Sequence, residues 1–75
     1  MTASDRPVKR SLTLMGHRTS VSLEAAFWDE FRQLAAAEGK SVNALAAEID
    51  ATRTPPASLA SAIRVRVLRA LKSRS

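Results

Sequence analysis

The sequence predicts a mainly α fold with a short β-ribbon, and three observations carry that expectation. Residues 9–14 and 18–23 alternate apolar with polar, the two-residue period of a half-buried strand. Three later stretches, 24–38, 41–52 and 58–72, repeat apolar residues at helical spacing. The chain has only 75 residues and no cysteine. At this size a single core buries only about 60% of the unfolded surface. With no cysteine, neither a disulfide nor a thiolate-held metal can reinforce it. A second subunit is therefore the expected source of further core, and an obligate dimer is expected.

Charge is unevenly spread. Residues 1–22 carry four Lys/Arg and one Asp, residues 23–50 carry two and six acids, and residues 51–75 carry six and none; the chain is +5 overall. Two basic ends around an acidic middle point to a polyanion met by the ends. The plainer alternative is charge for solubility. No apolar run approaches the roughly 20 residues of a membrane span, so no membrane partner is expected. The N-terminus does not read as a signal peptide, which fits a cytoplasmic protein.

Residues 1–8 show no periodicity and are expected to form a flexible basic arm, with Arg6, Lys9 and Arg10 at its end. Such an arm either lies along phosphates or is simply solvated. In the next run Val8, Arg10, Leu12 and Leu14 share one face, and Lys9, Ser11 and Thr13 share the other. Met15-Gly16 then allows two readings. Either Gly16 opens a tight hairpin that pairs 9–14 with 18–23, or the strand runs on past a glycine bulge. In the second run Thr19, Val21 and Leu23 suit a core, while Arg18, Ser20 and Ser22 form a polar face. A lone strand cannot satisfy its backbone groups. If its partner is the same strand of a second copy, the polar face of the ribbon suits the major groove of DNA. His17 is the sole histidine, and with no cysteine beside it a strand residue is expected, not a metal ligand.

The first helix is expected over Glu24 to Glu38. Phe27, Trp28, Phe31, Leu34 and Ala35 form its apolar stripe, Glu24 sits in the first turn, and Gly39 stops it. All three aromatic residues lie on this stripe, so core is expected of them rather than base stacking. Ser41 caps a second helix with Val42, Leu45, Ala46 and Ile49 inward, ending near Thr52 before Pro55-Pro56. Its start combines a capping serine, Lys40, and free N–H groups at Val42 and Asn43. That is either an ordinary cap or a phosphate site. After a linker over residues 53–57, Ser58 caps a third helix, about 58–72. Leu59, Ile63, Val67, Leu68 and Leu71 recur along it among Arg64, Arg66, Arg69 and Lys72; residues 73–75 are a tail. A basic amphipathic helix can bind a membrane surface, but this stripe lacks Trp and Phe and is needed to cover the core.

No nucleophile with a plausible histidine partner, no Gly-rich phosphate loop and no internal repeat is visible. Catalysis, a cofactor and a metal are not expected.

Strand, helix, glycine and serine-capped helix, in this order and at these lengths, resemble the ribbon-helix-helix proteins of the MetJ/Arc type. The residues that carry the resemblance are Arg18-Thr-Ser-Val-Ser-Leu23, Phe27-Trp28 with Phe31, Leu34 and Ala35, Glu38-Gly-Lys-Ser-Val-Asn43 and Glu48-Ile49. The run from Lys9 to Glu24 is similar to the short stand-alone ribbon-helix-helix domain proteins of alphaproteobacteria, and the likeness covers residues 9 to about 71. The resemblance implies a ribbon-helix-helix homodimer, here with a C-terminal third helix, binding double-stranded DNA as a transcriptional regulator. It implies base contacts from Arg18, Ser20 and Ser22, and a phosphate held at Ser41, Val42 and Asn43. Lys9, Arg10 and Lys40 are the further phosphate candidates. Val21, Leu23, Phe27, Trp28, Phe31, Leu34, Leu45 and Ile49 are the expected dimer core. The competing expectation is a dimeric interaction module, an antitoxin or adaptor, presenting its third helix to a protein. A hairpin over residues 9–23 would make the dimer sheet four strands wide, roughly 14 Å between outer strands. The major groove is about 12 Å wide. Either the first strand peels away on binding, or the groove is met in another manner.

Overall fold

The structure, a computed structural model, describes residues 6–74. Two strands, β1 (Pro7–Leu14) and β2 (His17–Glu24), are followed by α1 (Ala25–Ala37), α2 (Val42–Thr52) and α3 (Leu59–Ser73). The hairpin reading holds. The strands pair antiparallel from Leu14 opposite His17 to Pro7 opposite Glu24. Met15 and Gly16 between them both have positive φ, 53° and 85°, the mark of a type I′ turn, whose twist matches that of the flanking strands. β1 begins two residues earlier than the alternation suggested, so Pro7 and Val8 belong to the strand. The rest of the expected arm, apart from Arg6, lies outside the described residues.

The helix boundaries follow local chemistry. Glu24 closes β2 and caps α1 without a side-chain cap bond, so it sits just before the first turn rather than in it. At the other end Gly39 takes φ +68°. Lys40 N–H reaches Ala35 O at 2.9 Å and Gly39 N–H reaches Ala36 O at 3.0 Å, which satisfies carbonyls that the helix end would otherwise orphan. Ser41 Oγ accepts from Ala44 N–H at 3.0 Å and Ser58 Oγ from Ser61 N–H at 3.1 Å, so both expected caps form.

One face of the hairpin packs on the helices. Leu12, Leu14, Val21 and Leu23 are buried together with Trp28, Phe31, Ala35, Leu45, Ala46, Ile49, Ile63 and Val67. Of the residues expected to form a dimer core, Val21, Leu23, Trp28, Phe31, Leu45 and Ile49 are thus already buried within one chain, with Phe27 and Leu34 half-buried against them. β1 and α3 explain the difference. Leu12 and Leu14 come from the first strand, Ile63 and Val67 from the third helix, and together they close a core that β2, α1 and α2 alone would leave open. No helix is long and apolar enough to cross a membrane among the described residues.

Candidate nucleic-acid interface

Directly opposed residues of an antiparallel pair lie on the same face. The register therefore places Lys9, Ser11 and Thr13 of β1 beside Ser22, Ser20 and Arg18 of β2 on the outward side of the sheet. All six are exposed. This face carries two cations, four hydroxyls, and at its end Glu24, opposite Pro7. Arg64 reaches the Glu24 carboxylate with Nε at 3.0 Å and Nη2 at 3.2 Å. That hydrogen bond holds Glu24 below the ordinary glutamate range, so among the described residues the face has no free carboxylate.

The two sheet edges differ. In a two-residue hairpin the flanking pair, Leu14 and His17, exchanges the ladder bonds, and bonded pairs then alternate along the strands. The backbone groups of Lys9, Ser11 and Thr13 therefore point off the β1 edge, and those of Arg18, Ser20 and Ser22 off the β2 edge. On the β1 side, Thr13 N–H donates to Asn43 Oδ1 at 3.1 Å. Val8 O, a ladder group opposite Leu23, also accepts from Trp28 Nε1–H at 2.8 Å. The Arg10 guanidinium lies over the Trp28 ring, 5.8 Å from a centroid. On the β2 side, Arg64 Nη2 donates to Ser22 O at 3.4 Å. The remaining edge borders an open groove of about 720 Å³, lined by Thr19 to Ser22, Ala47, Asp50 and Leu59 among others.

The structure thus brings Arg18, Ser20, Ser22 and Lys9 onto one surface. α2 packs against β1, so its N-terminus flanks that surface beside Thr13, with Ser41, Val42 and Asn43 exposed or half-exposed. Two expected phosphate ligands sit elsewhere. Arg10 falls on the inward parity of β1, stacked on Trp28. Lys40 is clasped by Glu48 at 2.5 Å and Glu38 at 3.2 Å; hydrogen bonding to Glu48 first, then Glu38, raises its pKa. Arg66 joins the same cluster, 3.1 Å from Glu38. Lys40 therefore links the α1–α2 turn to α2, which spacing alone does not reveal. Three further roles were invisible in the sequence: Asn43 as a side-chain tie to β1, the Trp28 indole as a second tie, and Arg64 as the partner of Glu24. Each joins residues 20 or more positions apart, and no local pattern signals such a pairing.

Residues 7–71 match the ribbon-helix-helix domain family, and the chain belongs to it. Domains of this family are typically DNA-binding regulators or antitoxins and generally not enzymes. The chain is also similar to a solved structure, that of an uncharacterized protein from Bordetella pertussis Tohama I. The identity is 31%, the TM-score 0.77, and the match covers 96% of this chain and 61% of that one. The chain thus spans somewhat under two thirds of that protein's length. No curated protein matches it.

Proposed function

We propose that this chain is a homodimeric, sequence-specific DNA-binding protein acting as a transcriptional regulator. Two copies pair antiparallel along their β2 edges and turn the polar face to the major groove. The observation that supports this best is the conjunction at β2: an edge whose Arg18 and Ser20 backbone groups point off the sheet, beside a face with cations and, among the described residues, no free carboxylate. An exposed strand edge without proline or bulge invites another strand, and proteins normally guard or pair such edges. In this arrangement Arg18 binds a guanine edge bidentately, and Ser20 and Ser22 add short hydrogen bonds that discriminate less. Lys9 and the N–H groups at Ser41, Val42 and Asn43 take phosphates.

Titration with random duplex DNA at low and moderate salt tests the reading. Binding is expected at low salt and should weaken steeply as salt rises; no binding at low salt rejects it. On a selected site, Arg18→Ala should narrow the gap between that site and random DNA by about 1–3 kcal/mol. Equal losses on both would make Arg18 a phosphate ligand instead.

A second reading, a protein-interaction module, rests on α3. Val65 and Leu68 are exposed, 42% and 54%, on a helix whose charged residues are all basic. Pairing with an acidic protein segment that survives Leu68→Ser unchanged would count against this reading.

A further inference from the structure

The bonds along β1 bear on how a sheet of this width meets a duplex. We propose that β1 stays paired with β2 on DNA, so that the dimer binds through four strands. The two β2 strands then face the bases, and the outer β1 strands set Lys9, Ser11 and Thr13 against the phosphates. This deepens the dimeric DNA-binding reading above and rests on it.

Four independent observations tie β1 down. Leu12 and Leu14 are 5% and 7% exposed, part of the single core. The Trp28 indole holds the strand near its start, at Val8 O. Asn43 holds it near its end, at Thr13 N–H. Arg10, the residue best able to favour a free basic arm, is stacked on Trp28 instead. Detachment would expose the two leucines, uncover Trp28, which is 2% exposed, and leave the ladder groups of both strands unpaired. In return Arg6 and Arg10 become free to meet phosphates, whereas Lys9 faces phosphates in either arrangement.

The geometry suits a sheet laid across the groove rather than a ribbon sunk into it. Four strands span roughly 14 Å between outermost axes, against a groove about 12 Å wide. The outer strands then lie over the phosphate walls. Lys9, the one cation on the outward face of β1, projects there, and the α2 N-terminus lies just beyond, fixed to the same strand by Asn43. Arg18, on the inner strand, projects toward the groove.

The test uses the unaltered protein. Amide hydrogen exchange is measured with and without duplex DNA at low salt, together with the emission of Trp28, the sole tryptophan. With β1 in place, the bonded amides of Val8, Arg10, Leu12 and Leu14 stay protected at least as well as in the free protein, and the emission maximum does not move. In addition, Lys9→Ala should lower the slope of log affinity against log salt by about 0.9 for each phosphate no longer neutralised. Binding accompanied by faster exchange in β1 and a red-shifted Trp28 overturns this inference but leaves the DNA reading standing. An unchanged salt slope in Lys9→Ala, with β1 protected, overturns the phosphate role assigned to the outer strand. Failure to bind the duplex at all overturns both readings.

Discussion

β1 and β2 have the same length and pair with each other residue for residue, yet different groups lie along their outer edges. The β1 edge meets the Asn43 side chain at Thr13 N–H, and a proline opens the strand. The β2 edge meets only the Arg64 guanidinium at Ser22 O and otherwise borders an open groove. The difference arises partly in the strands themselves, since β1 begins with Pro7 and β2 has no proline. It arises also in what the helices bring alongside. α2 places Asn43 at the β1 edge, whereas beside β2 the helices leave an open groove. Residues distant in sequence thus occupy part of each edge, and the edge that borders the open groove becomes the candidate seam.

Substitutions on each strand test these roles. The largest effect is expected from Val21→Asp, which puts a carboxylate into the core beneath the open edge, where Val21 is 4% exposed. No cation is buried to meet it, so the fold should lose several kcal/mol, seen as loss of the cooperative thermal transition. Next comes Ser20→Pro. The Ser20 N–H points off the β2 edge, so proline spares the hairpin ladder while removing a seam donor and crowding the partner. A folded monomer in sedimentation, with helical circular dichroism retained, is expected. A folded dimer would show that the copies do not meet along β2.

Trp28→Phe sharpens the other side. It keeps the ring in the core but removes the donor to Val8 O, for a loss of about 0.5–1.5 kcal/mol, with faster amide exchange at the start of β1. Equal exchange in the variant would show that the indole does not secure the strand.

The smallest effect is on pH dependence. The Arg64 hydrogen bond depresses Glu24 and the Lys40 hydrogen bond depresses Glu38. These pairs therefore stabilise the fold above the unfolded glutamate pKa, about 4.3, and the contribution disappears as pH falls through the lowered folded values. Lys40, raised by Glu48 and Glu38, behaves oppositely. Its contribution is complete below the unfolded lysine value, about 10.4, and is lost as pH rises beyond it. Arg64→Ala should flatten the acid limb of a melting-temperature profile. Because these groups are solvent-exposed, high salt should flatten it as well.

Much of the architecture was determined by sequence alone, because the signals are local. The caps at Ser41 and Ser58, the stop at Gly39, the aromatic stripe of α1 and the alternation of both strands each depend on residues within a turn or two of one another. The outward set Arg18, Ser20 and Ser22 followed from the strand period in the same way. Tertiary structure decided what depends on distant residues. It turned Met15-Gly16 into a hairpin, let β1 and α3 close a core within one chain, drew Arg10 onto Trp28, and committed Lys40 to Glu38 and Glu48. It also set Asn43 on the β1 edge and an open groove beside β2. A side chain's type and spacing fix which face of its own element it occupies, but whether it is free to meet a ligand depends on what packs beside that element.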